Sequence, residues 1–312
     1  MKPEMDTGYT DYAPPTVKFL GFRYIPAERQ ILHSFLTNKM VMVAVVLLVI
    51  LLGCAIFAAW ITPLRPTKQN VISRLRPPIW LERGKAPHLL GTDRLGRDVY
   101  SVIIYGLRIS LTVGVVSAAI AMVFGVVMGL MAGYARGFWE AFIMRTVDIQ
   151  LALPTIMVAL CFMVMFGRGL GKMIIVIAIT GWATYARTVR GTVLSIREKE
   201  YVESAHAVGL SPGIIMTKYF LINAITPVII LAAVDVPRVI LLESTLSFLG
   251  LGVPVTTPSL GLAIARGYRV LFSGSWWVSI FPGFALMLLV GCINVIADWL
   301  RDALEPRSRE QV

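Results

Sequence analysis

Four runs without a single charged side chain govern what this chain can become: Met40–Trp60, Ile109–Gly133, Ile149–Phe166 and Trp277–Ala297, of 21, 25, 18 and 21 residues. At about 1.5 Å per residue, roughly 20 apolar residues carry an α-helix across some 30 Å of hydrocarbon, and a helix satisfies its own backbone there. The remaining composition agrees, with 57% hydrophobic and only 15% charged residues and a mean hydropathy of +0.75; soluble domains are about 45–50% apolar and about 25% charged. Two weaker runs complete the set. Met173–Ala186 is short, but a helix carries it on through Arg187 and Arg190 into the headgroups. Ala224–Leu246 is long enough and holds Asp235, Arg238 and Glu243. The expectation is an all-α polytopic membrane protein with six transmembrane helices and both termini on one side.

That count divides the chain into an N-terminal segment (1–38), a first transmembrane helix (39–60), an outer loop (61–104), a helical core (105–300) and a C-terminal tail (301–312). With the N-terminus inside, the inner loops and tails hold 15 Lys/Arg against 12 outside, eight of these in the long first outer loop. Long loops obey the charge rule less strictly, so an N-inside orientation, with cytoplasmic termini, is expected. The net charge of +11 points to lipid headgroups. The basic residues are scattered and form no stripe, so nucleic acid is not an expected partner.

The segment between the fourth and fifth runs is the least membrane-like stretch of the core. Arg197–Val208 is rich in helix formers, and Gly209 suits the left-handed residue that ends a helix. Ser211 offers an N-cap with Pro212 at the first helical position. Ile214, Ile215, Tyr219 and Phe220 then give a second helix an apolar face, with Lys218 off it. The pattern predicts two short capped helices around a sharp turn, held at the inner membrane surface.

Here the sequence resembles the permease subunits of binding-protein-dependent ABC importers of the dipeptide/oligopeptide/nickel class. Their cytoplasmic loop follows E-A-A, three residues, G, nine residues, I-x-L-P. Glu203, Ser204 and Ala205 stand at the first three positions and Gly209 at the glycine, while Ile222 stands where proline is usual. GTDRLGRDVYS (Gly91–Ser101), RISLTVG (Arg108–Gly114), ESTLSFLGLGV (Glu243–Val253) and DWLRDALEP (Asp298–Pro306) extend the resemblance over roughly residues 30–307. It implies a type I importer permease fold with its core over 105–300 and an ATPase-coupling loop over 190–223, in a bacterial or archaeal cytoplasmic membrane. Glu203, Ser204, Ala205, Gly209, Ser211, Pro212, Ile214 and Ile215 would form the coupling element. The implied partners are a homologous second permease, two ABC ATPase subunits holding ATP and magnesium, and an extracytoplasmic solute-binding protein. The chain itself would need no cofactor and perform no chemistry. Peptides, nickel, glutathione and opine-like solutes are all cargo of this class.

Other features carry less. Gly125, Gly129 and Gly133 lie in a GxxxGxxxG register that lets helix backbones approach closely, within the chain or against a partner. Asp235 and Arg238 are one helical turn apart; they form an ion pair within the bundle or, with Glu243, line the translocation path. Asp98 is placed to cap the helix of the second run, and Arg29–Met40 to form an interfacial helix. GRGLGKM (Gly167–Met173) lacks the first glycine and the magnesium-binding hydroxyl of a phosphate loop and reads as a turn. Cys54, Cys161 and Cys292 are far apart inside apolar runs, and no metal-ligand spacing is present. His33, His88 and His206 read as surface residues. LLGC at Leu51–Cys54 faintly resembles a lipid-attachment site, but the apolar run continues to Trp60, too long for a cleaved leader. An ion-coupled secondary transporter or channel, or a membrane-embedded enzyme, is the rival reading. The first would need its own coupling-ion site and commonly shows internal repeats, which the two halves lack.

Overall fold

The computed structural model describes residues 34–62, 64–135 and 137–304, together with the backbone of 17–19 and 22–24. The bundle is helical, with one addition to the all-α expectation. Strands β1 (Val17–Phe19) and β2 (Phe22–Tyr24) form an antiparallel hairpin that pairs Val17 with Tyr24. Its residues are β-branched or aromatic at alternate positions, a local strand signal hidden inside a polar segment. The expected helix over Arg29–Met40 lies partly outside the described residues. Within them, a helical turn at 34–37 leads to Asn38, whose Oδ1 accepts from the backbone of Met40 (3.1 Å) and Val41 (3.3 Å).

That cap starts α1 (Lys39–Ile56), which is followed by a single turn, α2 (Ala58–Ile61). The chain then forms a folded knot before α3 (Val99–Ala135). In the knot Asp93 takes both Nε (2.8 Å) and Nη2 (2.5 Å) of Arg97, and Asp98 caps α3 through Ser101 N (2.9 Å) and Oγ (2.7 Å). Gly96 has φ +69°, and a Cβ there would lie 1.8 Å from the Asn70 carbonyl oxygen, so the knot closes only around glycine. The helix therefore begins six residues before the expected core, on the cap the sequence signals.

Next come α4 (Phe138–Ala152), α5 (Thr155–Phe166), α6 (Leu170–Arg197) and α7 (Glu200–Ala207). The last three are α8 (Pro212–Phe248), α9 (Leu260–Leu271) and α10 (Trp277–Leu304). The uncharged run Ile149–Phe166 is not one straight helix: α4 and α5 meet at a 95° bend. Pro154 cannot donate to the helix ladder and drives Leu153 into an extended conformation (φ −95°, ψ 139°). Among the described residues four helices are long and apolar enough to cross a membrane, α1, α3, α8 and α10, or five if the bent pair is one span. Helix α6 has the length, 28 residues, but its second half carries Arg187, Arg190 and Arg197.

Helix α3 contributes to all four buried apolar clusters and is the axis of the bundle. Its main partner is α6. A Cβ on Gly125 would sit 2.5 Å from the Trp182 carbonyl oxygen, on Gly129 2.7 Å from that of Ala186, and on Gly133 2.6 Å from Val193 Cγ1. The glycine register thus packs within the chain, backbone on backbone.

Candidate functional site

Two polar regions lie at opposite ends of α3. The knot sits at its start, where Trp277 Nε1 of α10 donates to the Thr92 carbonyl (3.2 Å). At its other end Arg197 Nη1 donates to the carbonyls of Gly133 (3.3 Å) and Tyr134 (3.1 Å), a cation on the negative end of the helix dipole. Arg187 pairs with Asp148, and Arg190 with Glu140 (2.5 Å), so α4 is tied to α6 at this end too.

The predicted helical hairpin is here, with a different division. Helix α6 ends at Arg197, so Arg197–Val208 is not one helix; α7 starts afresh at Glu200. Its end is a complete Schellman motif: Leu210 N donates to Ala205 O (3.2 Å), Gly209 N to His206 O (3.0 Å), and Gly209 has φ +80°. Pro212 takes the first helical position, whereas the Ser211 side chain makes no capping hydrogen bond. The second arm is not short. It passes through a π turn over Ile215–Leu221 and continues without a break to Phe248. Ile222, where the family pattern has proline, keeps its N–H in this continuous helix.

Ala205, Ile215 and Phe220 are buried under the hairpin with Val202, and the Tyr134 ring lies 6.5 Å from the His206 ring and 6.3 Å from that of Phe220. Ile214, expected on the apolar face, is exposed. Exposed beside it are Glu203, Ser204, Gly209, Ser211 and Pro212, with Tyr201 and Val208. The Ser204 hydroxyl donates to Glu200 O (2.8 Å), and the Glu203 carboxylate has no partner among the described residues.

The charges in α8 divide differently from the expectation. Asp235 and Arg238 form no ion pair: Asp235 Oδ2 accepts from the Tyr185 hydroxyl of α6 (3.2 Å), and Arg238 Nη2 donates to Thr155 Oγ1 of α5 (3.4 Å). Close by, Gln150 Nε2 donates to the α6 carbonyls of Ile179 (2.8 Å) and Thr180 (2.9 Å). Glu243 is no path residue here, since it is completely buried. Its two oxygens accept from four hydroxyls: Ser110 (2.8 Å) of α3, Ser244 (3.2 Å) and Ser247 (2.8 Å) of α8, and Ser259 (3.0 Å) at the start of α9. Ser244 and Ser247 were within reach of a helix-spacing argument; Ser110, Ser259, Tyr185 and Thr155 come from distant segments with no local signal.

His88 also departs from its surface reading: it is buried, with Nδ1 3.1 Å from Asp98 Oδ1. His206 is exposed, and His33 lies outside the described residues. Gly167 to Gly169 form the turn between α5 and α6, where Lys172 Nζ donates to Phe166 O (2.6 Å). Among the described residues no group of three His, Cys, Asp or Glu is placed to hold a metal ion.

The geometry is that of a helical membrane bundle with a capped helical hairpin at one end and polar contacts between spans. Residues 125–310 match the family of binding-protein-dependent transport system inner membrane components, and residues 29–78 match the N-terminal transmembrane domain of oligopeptide transport permease C. The chain is 38% identical over 279 residues to the di/tripeptide transport system permease protein DppC of Pseudomonas aeruginosa, covering 89% of this chain and 91% of that one. It is 38% identical over 272 residues to the dipeptide transport system permease protein DppC of Bacillus subtilis, covering 87% and 83%. With the oligopeptide transport system permease protein OppC of Bacillus subtilis it shares 34% over 276 residues, 88% of each. A solved structure, the inward-facing MetNI methionine ABC transporter, shares the fold at a TM-score of 0.53 and 20% identity, covering 65% of this chain and 96% of that one. The chain belongs to the family of binding-protein-dependent transport system inner membrane components. It is a multi-pass transport subunit and not an enzyme.

Proposed function

We propose that the chain forms half of the translocation pore of an importer for peptides or a closely related small solute, completed by a homologous second permease. Two ATPase subunits bind ATP and magnesium and drive alternating access, and an extracytoplasmic binding protein delivers the cargo. The chain carries no cofactor. The bent pair α4–α5 counts as one span and α6 as another, giving six, with the hairpin and both termini on the cytoplasmic side of a bacterial inner membrane. The supporting observation is continuity: the second arm of the hairpin is the same helix as a membrane span. A body that grips Glu203, Ser204 and the turn from Gly209 to Ile214 would therefore move α8 directly. Glu203, with no partner among the described residues, is available for a charge-assisted contact with the ATPase.

The test is site-directed cross-linking in the assembled importer. A Glu203→Cys variant is expected to cross-link to the ATPase subunit, with a yield that changes when ATP binds. Cross-linking to lipid alone, or labelling of position 203 by an impermeant reagent from outside the cell, would overturn the proposal.

A further inference from the structure

Asp235 and Arg238 are opposite charges one turn apart in a span, and they make no direct ion-pair contact. A charged side chain at the centre of a membrane helix costs about 2.5–3.5 kcal/mol on insertion scales, and residues at i and i+3 are well placed to pair. Each is instead held by a hydroxyl from a different helix, Asp235 by Tyr185 of α6 and Arg238 by Thr155 of α5. Tyr185 is fully buried, so the anchor of Asp235 is rigid, while Arg238 is exposed. Asp235 Oδ1 and the other guanidinium N–H groups have no protein partner among the described residues. The bundle thus presents one acceptor and one multiple donor, of opposite charge and bonded to different helices, beside the bend between α4 and α5.

We infer that Asp235 and Arg238 form a subsite for a small zwitterion on the translocation path. Arg238 takes the carboxylate, for which the planar guanidinium is suited, and Asp235 takes the ammonium. A free peptide carries both groups, whereas a bare metal cation has no use for Arg238. The inference rests on the importer reading above and narrows its cargo to molecules with both termini unblocked. Thr155 and Tyr185 are positioning residues: they keep the two charges from collapsing onto each other.

The test uses the complete importer in proteoliposomes, with dialanine and its C-terminal amide as probes, each saturating the binding protein. Substitutions in the permease leave that protein unaltered, so a change in the acid-to-amide ratio of uptake belongs to the pore. Arg238→Gln is expected to lower dialanine uptake about tenfold, the equivalent of one charge-assisted contact, while amide uptake stays within about twofold. Arg238→Lys should restore part of the preference. Binding-protein-stimulated ATP hydrolysis that persists in both variants shows that the assembly is intact. An unchanged ratio in Arg238→Gln overturns the subsite and leaves the importer standing. Equal loss of both probes also overturns it, by making Arg238 a structural contact, within the chain or across the pore. If the unaltered importer takes up neither probe in the presence of ATP, the peptide reading falls and the subsite with it.

Discussion

Among the described residues Glu243 is bonded to serines and to no cation, and no part of it reaches solvent. Burying a carboxyl group is costly unless its oxygens are hydrogen-bonded. Here four serine hydroxyls, from α3, α8 and the start of α9, divide between its two oxygens. The carboxylate therefore joins three helices through one residue, and the serines are the smallest side chains that can donate to it without opening a cavity. A buried hydrogen bond contributes about 0.5–1.5 kcal/mol net, and each partner left unsatisfied when its acceptor is removed adds about 1–3 kcal/mol to the loss. Glu243→Ala should consequently destabilise the detergent-solubilised chain by at least about 3 kcal/mol, because four donors lose their acceptor at once. Glu243→Gln keeps the shape, and hydroxyls rotate to meet an amide, so its cost should be nearer 1 kcal/mol. Thermal unfolding of the two variants checks this; equal midpoints would show that the serine ring does not carry the stability assigned to it.

The association of α3 with α6 depends on backbone proximity. At Gly129 an added Cβ would meet the Ala186 carbonyl oxygen and Val189 Cβ, both at 2.7 Å. These are rigid neighbours, so Gly129→Leu has to separate the helices, at about 1–3 kcal/mol or more for overpacking. Gly53, whose Cβ would meet nothing within 4 Å, is the control. Folded yield and unfolding temperature should fall for Gly129→Leu and hold for Gly53→Ala. The small-residue register was legible because its period is local, but its partner was not, since α6 offers only an ordinary apolar face. Similar reasoning separates the other elements. Gly209 and Pro212 announce the hairpin turn through backbone geometry, which is a property of the residue itself. The bend in the run Ile149–Phe166 was hidden because hydropathy alone ignores Pro154, which ends α4 here while Pro227 and Pro237 are accommodated inside α8. The length of the second arm was also hidden: the π turn at Ile215–Leu221 lets the helix absorb a change of register and run on. Charge partners were the least legible of all, because Asp235 and Arg238 are adjacent in α8 while their hydroxyls come from α6 and α5.

Across the whole molecule, the ends of the bundle have separate tasks. Helix α10 starts beside the knot, where Trp277 meets Thr92, and near its other end Trp299 Nε1 donates to Ser34 Oγ (3.3 Å). Ser34 therefore lies at the end opposite the knot, the end that also carries the hairpin. Between the two, α8 spans the bundle from the hairpin to the serine-ringed Glu243, and Asp235 and Arg238 lie along it. On the proposed function, force applied at the hairpin reaches all of these groups through one helix, provided that the turn at Gly209 is stiff and correctly angled. Gly209 has φ +80°, where a β-branched side chain clashes with its own backbone, and such strain costs about 1–3 kcal/mol. Gly209→Val should leave membrane insertion intact, since no span contains it, but tilt α7 against α8 and weaken ATPase binding. Gly171, in α6 outside the hairpin and with nothing within 4 Å of its Cβ position, provides the control, and Gly171→Ala should be neutral or stabilising by up to about 1 kcal/mol. Co-purification of the ATPase and ATP-driven uptake in vesicles should both drop for Gly209→Val and hold for Gly171→Ala. Full coupling in Gly209→Val would mean that the turn bends freely under load, and α8 could not then be the member that transmits the stroke.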